Sequence, residues 1–103
     1  MQQYGLSKKA IEQVRGVFAS FPAVRKVLLY GSRAKGNFKE GSDIDLTITG
    51  KEITAKMLLQ ISHRLDELLL PYRIDLSRLE QISDPDLLDH IQRIGVVFYQ
   101  KET

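Results

Sequence analysis

Two short motifs in this sequence could do chemistry together. The first is the pair Gly31-Ser32, and the second, after a gap of ten residues, is Asp43-Ile44-Asp45. A glycine lets backbone amides approach phosphate oxygens closely, and a serine hydroxyl can donate a further hydrogen bond or cap a short helix, here over 33–35. Carboxylates two residues apart on a strand point the same way, with Cα atoms roughly 7 Å apart, and can ligate a divalent cation such as Mg²⁺. The two motifs therefore predict a site for a polyphosphate and a metal ion.

A third carboxylate can reach this site if the chain folds as its hydrophobic pattern indicates. Residues 43–49 alternate strictly between polar and aliphatic side chains, which predicts a half-buried strand with its polar face on show. Residues 72–77 read as another strand, with Asp75 opposed to its aliphatic residues. Because a helix of crossover length separates these segments, we expect them to be parallel neighbours. Asp75 can then lie beside Asp43 and Asp45.

The rest of the pattern predicts helices packed on a small mixed sheet. A strand over 24–30 ends at the Gly-Ser turn, and a short edge strand is expected over 96–99. Ser7 and Asp84 are expected to cap the first and last helices, and Pro71 to end the middle one. The apolar residues of the three helices are Ala10, Ile11, Val14 and Phe18, then Met57, Leu58, Ile61, Leu65, Leu68 and Leu69, then Leu87, Leu88, Ile91 and Ile94. The order α-β-β-α-β-α is typical of an α/β or α+β domain.

The composition is that of a small globular protein. The chain has 103 residues and is expected to form one domain, over residues 1–103. Hydrophobic residues make up 43% and charged residues 27%, which argues against disorder and a coiled coil. Cysteine is absent, which excludes disulfides, thiolate metal sites and a cysteine nucleophile. The sequence shows neither a signal peptide nor an apolar run of the roughly 20 residues that a membrane span needs, so the cytoplasm is the expected location.

The charge pattern argues against nucleic acid as a direct substrate. The net charge of +2 comes from 15 basic and 13 acidic residues, whereas a nucleic-acid-binding protein usually concentrates basic charge on one face. Basic residues cluster only around the Gly-Ser turn, at Arg25, Lys26, Arg33, Lys35 and Lys39. They form either a solvated basic loop or a surface that meets a polyphosphate.

Other phosphate and metal motifs do not fit the same residues. Gly31 and Gly36 have the glycine spacing of a Walker A loop, but Asn37-Phe38 stands where lysine and serine or threonine are required. An EF-hand that began at Asp43 would need glycine at its sixth position, where this chain has Ile48. Both alternatives are therefore rejected.

Taken one at a time, the remaining signals are weak. A Gly-Ser pair alone is usually just a turn, and Asp75 alone would be an ordinary acid at the end of a strand. His63 and His90 lie on different predicted helices without ligand spacing, so each is expected to be a surface or boundary residue. The prediction depends on the joint occurrence of the glycine turn and three acids in an order that can assemble one site.

The segment from Gly31 to Leu46, GSRAKGNFKEGSDIDL, resembles the signature of the minimal nucleotidyltransferases of the DNA polymerase beta superfamily. That signature is Gly-Ser, ten residues, Asp-x-Asp, and a third acid on a later strand, which Arg73-Ile74-Asp75-Leu76 supplies here. The resemblance extends over nearly the whole chain, because those proteins are single domains of about this size with this order of elements. No member of the signature is missing.

The resemblance implies nucleotidyl transfer, in which an acceptor hydroxyl attacks the α-phosphate of a nucleoside triphosphate, in this case ATP, and pyrophosphate leaves. By that similarity Asp43 and Asp45 would ligate Mg²⁺, and Asp75 would complete a second metal position and help to activate the nucleophile. A pair of metal ions would stabilise the entering and leaving oxygens of an in-line displacement. Gly31 and Ser32 would hold the β- and γ-phosphates.

Basic residues in the ten-residue segment between the two motifs would help to bind the same phosphates. Arg33 is the expected helper in nucleotide binding, because its guanidinium offers a fork of donors. Lys35 and Lys39 are weaker candidates, since either could face solvent.

The family also implies a partner. Prokaryotic minimal nucleotidyltransferases are commonly paired with a separate helical HEPN protein, often a ribonuclease toxin, and act as antitoxins by attaching AMP to a tyrosine of that partner. A hetero-oligomer is therefore expected. The alternative is a non-catalytic nucleotide-binding module that neutralises or scaffolds a helical partner by contact alone; the three converging carboxylates favour the enzyme. Transfer to a small molecule is disfavoured by the length of the chain, and DNA polymerisation more strongly by the lack of a template-gripping domain.

Overall fold

Helices and strands alternate along the part of the chain that the structure describes. A computed structural model covers residues 2–102. Its elements are β1 (Gln2–Gln3), β2 (Leu6–Ser7), α1 (Lys8–Ala19), β3 (Lys26–Tyr30), α2 (Gly31–Lys35), β4 (Ile44–Thr49), α3 (Ala55–Asp66), β5 (Ile74–Arg78), a 3₁₀ turn (Leu79–Gln81), α4 (Pro85–Ile94) and β6 (Val96–Gln100). Across residues 2–102, no helix combines the length and the apolar character needed to cross a membrane.

Four strands form one mixed sheet in the order β5-β4-β3-β6. Strand β3 is antiparallel to both β4 and β6, whereas β4 and β5 are parallel and joined through α3. A helix between two strands lets the chain return to the same end of the sheet, so the second strand runs in the direction of the first. This confirms the predicted fold class and the parallel pairing. The short antiparallel pair β1–β2 lies before α1 and was not predicted.

The hydrophobic core lies between one face of the sheet and the helices α1 and α3. The aliphatic residues of β4 alternate inward as predicted. With the buried residues of β3 they pack with Phe18 of α1 and Ile61 of α3, both fully buried. Helix α4 packs elsewhere, against β3 and the short helix α2. The core therefore fixes the sheet, and α4 contacts the chain at the Gly-Ser turn.

The predicted helix starts are confirmed by their capping bonds. The backbone amide of Ala10 donates to the Ser7 hydroxyl at 3.1 Å, and that of Asp86 donates to the Asp84 carboxylate at 3.0 Å. Pro85 occupies the first position of α4, where no backbone N–H is needed. These side chains satisfy amides that have no partner inside the helix.

Two details of the sequence pattern are wrong. Leu69 was placed on the apolar stripe of the middle helix, but α3 ends at Asp66, and Leu69 is 88% exposed with a left-handed backbone. Pro71 was expected to end this helix, but α3 ends earlier, and the left-handed backbone at Leu69 cannot continue a right-handed helix. Thr47 was expected on an open polar face but is fully buried, and its Oγ1 atom accepts a hydrogen bond from the Ser77 hydroxyl at 2.9 Å.

Candidate active site

Tyr30, Asp45 and Asp75 lie side by side across three strands. Asp45 on β4 is paired with Asp75 on the parallel strand β5, and on its other side with Tyr30 on the antiparallel strand β3. Residues directly opposite each other on neighbouring strands project from the same face of the sheet. The register thus brings Asp75 beside Asp45, where the alternation of the sequence placed it.

Asp45 is the half-buried member of the acidic cluster. Burial raises the pKa of its carboxyl group above the ordinary value, the negative charges of Asp75 and then Asp43 raise that pKa further, and the nearby His90 acts in the opposite direction. Asp43 and Asp75 are both exposed. The three carboxylates are therefore close enough to repel one another, and the structure places all three at one end of the sheet.

Gly31 brings the chain directly against Asp45. Its φ is +75°, in the left-handed region that favours glycine, and a Cβ atom built on it would overlap the Asp45 Oδ2 atom. The turn from β3 into α2 is thus possible only because position 31 has no side chain. The glycine motif and the acidic motif, separated by ten residues in sequence, meet in space.

Ser32 is not the cap that the sequence suggested. The residue before the first turn of α2 is Tyr30, whose side chain makes no capping bond, and Ser32 is the second residue of the helix and half-buried. The predicted capping role is wrong because α2 begins one residue earlier, at Gly31. Whether the Ser32 hydroxyl contacts phosphate is a separate question and stays a prediction.

Arg33 is turned into the protein rather than toward the carboxylates. It is 3% exposed; its Nε and Nη2 donate to the Ser42 carbonyl at 3.1 and 2.8 Å, and its Nη1 donates to the Tyr4 carbonyl at 2.8 Å. The guanidinium also lies 5.4 Å from the ring centroid of Phe38 and 5.1 Å from that of Tyr72. This geometry ties the loop to the start of the chain and does not support Arg33 as a phosphate ligand.

Unlike the buried Arg33, two lysines close to it in the sequence are exposed to solvent. Lys35 and Lys39 are both exposed, so their ammonium groups are available to an approaching anion.

A cleft of about 480 Å³ with Arg25, Gly50 and Lys101 in its wall lies at the other end of the sheet, away from the acidic cluster. It has no connection with the motifs, and we place the candidate site at the carboxylates.

The donor set fits a hard divalent cation. Carboxylate oxygens are the ligands that Mg²⁺ prefers, and a cation would offset the repulsion that raises the pKa of Asp45. Within residues 2–102, however, no three carboxylate or imidazole groups are already arranged as a metal cluster. The assignment of Asp43, Asp45 and Asp75 as metal ligands therefore stays a prediction.

Two further residues belong to this end of the sheet and were missed. Burial raises the pKa of the Tyr30 hydroxyl, a hydrogen bond with Ser77 lowers it, and the charges of Asp45 and Asp75 raise it further. The Tyr30 side chain therefore stays uncharged beside the acids. His90 was expected at the surface or its boundary, and it is half-buried, but its Nε2 accepts the Gly31 N–H at 2.9 Å. The sequence signal that could have identified His90 as an inward-facing residue is its position on the apolar stripe of α4.

A small mixed sheet with a glycine turn and strand carboxylates at one end is the architecture of a nucleotidyltransferase domain. The family model for polymerase beta nucleotidyltransferases matches residues 12–103, and the chain belongs to that family. A comparison with curated protein sequences finds no match.

Solved structures share the fold. A chain of a toxin–antitoxin complex with AMP-PNP superimposes with a TM-score of 0.71 at 18% identity, covering 89% of this chain and 74% of that one. A chain of the complex between a tri-AMPylated HEPN toxin and an MNT antitoxin from Shewanella oneidensis gives 0.67 at 16% identity, covering 91% and 72%. A chain of an MntA–HepT toxin–antitoxin complex gives 0.67 at 15% identity, covering 92% and 74%. At these identities the likeness concerns the fold.

Proposed function

We propose that this chain is a Mg²⁺-dependent nucleotidyltransferase that transfers AMP from ATP to a tyrosine hydroxyl of a helical HEPN partner and so acts as an antitoxin. The observation that carries the proposal is the register of Asp45 beside Asp75, with Gly31 packed against Asp45. A binding module would have no need for mutually repelling carboxylates at its nucleotide turn, whereas metal-assisted phosphoryl chemistry requires them.

The proposed step is an in-line displacement at the α-phosphorus of ATP. A bond forms between the acceptor oxygen and the α-phosphorus. The bond between the α-phosphorus and the oxygen that bridges it to the β-phosphate breaks, and pyrophosphate leaves. Mg²⁺, held by Asp43, Asp45 and Asp75, would supply charge stabilisation for the entering and leaving oxygens. Asp75 is exposed, so its carboxylate can approach an acceptor hydroxyl and take up its proton.

The phosphate turn would hold the rest of the nucleotide. Gly31 leaves space for a close approach to the backbone, and Ser32 follows it at the start of α2. Lys35, at the end of α2, and Lys39, on the loop that follows, are exposed and can neutralise part of the polyphosphate charge. Gly31, at the start of the same segment, lies against Asp45, one of the acids that would hold the metal.

The partner is proposed from the similar structures. Two of the chains that share this fold come from complexes of an MNT or MntA antitoxin with a HEPN or HepT toxin, and in one of them the toxin is AMPylated. By that similarity we expect a hetero-oligomer in which the partner presents its tyrosine to the acidic end of the sheet.

A mass spectrum of a candidate HEPN partner that binds this protein tests the proposal. After incubation with the protein, ATP and Mg²⁺, the partner should gain the mass of AMP on a tyrosine, and Asp45→Asn and Asp75→Asn should abolish the gain. Asp66→Asn is the matched control, because this exposed acid lies at the end of α3. An unmodified partner that still binds the protein would contradict the enzymatic proposal and favour neutralisation by contact.

A further inference from the structure

The backbone amide of Gly31 has a side-chain acceptor. Its N–H donates to Nε2 of His90 at 2.9 Å, although the two residues are 59 positions apart. This is a direct bond between helix α4 and the turn that begins α2. Since Gly31 is the first residue of α2, its amide has no partner inside that helix.

The imidazole of His90 is held on both sides of this bond. Its Nε2 atom accepts the Gly31 N–H at 2.9 Å. The ring of Tyr30 meets the imidazole edge to face, with the ring centroids 6.3 Å apart. His90 lies one turn from Leu87 and from Ile94, on the side of α4 that packs against β3 and α2. The packing of α4 thus sets the position of the acceptor.

The same glycine contacts the acidic cluster. A Cβ on Gly31 would overlap Asp45 Oδ2, so the Gly31 backbone and the Asp45 carboxylate share one small space. A small rotation of the Gly31 peptide would move its Cα toward or away from that carboxylate. His90 restrains this rotation because it holds the amide, and the Asp45 carboxylate lies where a Cβ on Gly31 would be.

We propose that His90 is a positioning residue that fixes the Gly31 peptide against Asp45 and thereby preorganises the phosphate turn and the metal-binding carboxylate as one unit. The inference rests on the proposed function for its effect on nucleotide binding. The bond itself is independent of that function. Helix α4 would then contribute to the site from outside the two sequence motifs.

A pair of substitutions separates the acceptor from the packing. In His90→Gln the side-chain oxygen can reach the Gly31 amide, whereas in His90→Met a side chain of similar length offers only a weak sulfur acceptor. The same pair at the exposed His63 of α3 serves as the control. Circular dichroism and melting curves show that each variant is folded before it is compared.

Two measurements are made on each variant. Amide exchange of Gly31, followed by NMR, should be about tenfold faster or more in His90→Met than in the wild type, and close to wild type in His90→Gln. The dissociation constant for ATP with Mg²⁺, measured calorimetrically without partner, should rise about three- to tenfold in His90→Met and less than about twofold in His90→Gln. The His63 variants should change neither quantity.

The outcomes distinguish the two proposals. Equal Gly31 amide exchange in the wild type and His90→Met would overturn the positioning role. The same conclusion would follow if His90→Gln behaved like His90→Met, or if His90→Met showed faster exchange but bound ATP as tightly as the wild type. A wild-type protein that does not bind ATP would instead overturn the proposed function. The exchange comparison would then still decide whether His90 holds Gly31.

Discussion

The side chain of Asp45 occupies the space that a Cβ atom on Gly31 would need. Gly31→Ala should therefore do two kinds of damage. The left-handed backbone at φ +75° costs roughly 1–2 kcal/mol of stability with any side chain, and the new methyl group must also displace the carboxylate. We expect a lower free energy of unfolding and a loss of nucleotide transfer by at least about tenfold.

Gly36→Ala is the matched control for Gly31→Ala. Gly36 ends α2 with φ +96°, but a Cβ built there meets no atom within 4 Å. The variant should lose only the stability that the left-handed backbone costs, less than Gly31→Ala loses, and keep its transfer activity. Chemical denaturation and transfer assays on both variants check this, and a Gly31→Ala protein with wild-type transfer would show that the contact with Asp45 has no role.

Asp45→Asn should stabilise the metal-free protein at neutral pH. A carboxyl whose pKa is raised on folding contributes stability that is complete below its unfolded pKa and is lost as the pH rises through the folded one. Burial first, then the charges of Asp75 and Asp43, raise the pKa of Asp45 from its ordinary 3.8, so the wild type loses stability as the pH rises above that value. The amide of the variant does not ionise.

Melting curves in a chelator check the pH dependence. The melting temperature of Asp45→Asn should exceed that of the wild type at about pH 8, and the difference should shrink as the pH is lowered toward the ordinary pKa of 3.8. Asp66→Asn replaces an exposed acid and should show no such trend. A wild type that gains stability relative to Asp45→Asn as the pH rises would contradict the environment assigned to Asp45.

Removal of the cation should cost stability as well as activity. Mg²⁺ at ten times its dissociation constant stabilises a folded protein that binds it by about 1.4 kcal/mol. We expect Mg²⁺ to raise the melting temperature of the wild type and of Asp66→Asn, and to have little effect on Asp45→Asn or Asp75→Asn. If all four proteins respond alike, these two carboxylates are not metal ligands.

Arg33→Lys distinguishes the observed contacts of Arg33 from its predicted role at the phosphates. Lysine cannot reproduce the paired bonds to Ser42 and the bond to Tyr4, so the variant should lose roughly 2–3 kcal/mol of stability. Lys35→Met, an exposed neighbour, should melt like the wild type. Weaker ATP binding by Arg33→Lys at unchanged stability would instead support the phosphate role.

Much of the acidic cluster could be predicted because it depends on local rules. The crossover through a helix brought Asp75 alongside Asp45, and Asp43, expected within the strand, lies just before its first residue, Ile44. His90 and Arg33 could not be placed in this way. Their contacts depend on how α4 and the loop after α2 pack against distant segments, and a basic side chain near a phosphate motif gives no sign that backbone carbonyls will bind it.

The Arg33 guanidinium anchors the segment between the two motifs because it donates hydrogen bonds to the carbonyls of Tyr4 and Ser42. The conformational entropy of that segment is then lost when the protein folds and not when a ligand arrives. A ligand of this loop needs to order fewer backbone dihedrals, and more of its interaction energy is available as affinity. A buried guanidinium outside the acidic cluster can thus tighten binding without touching what is bound.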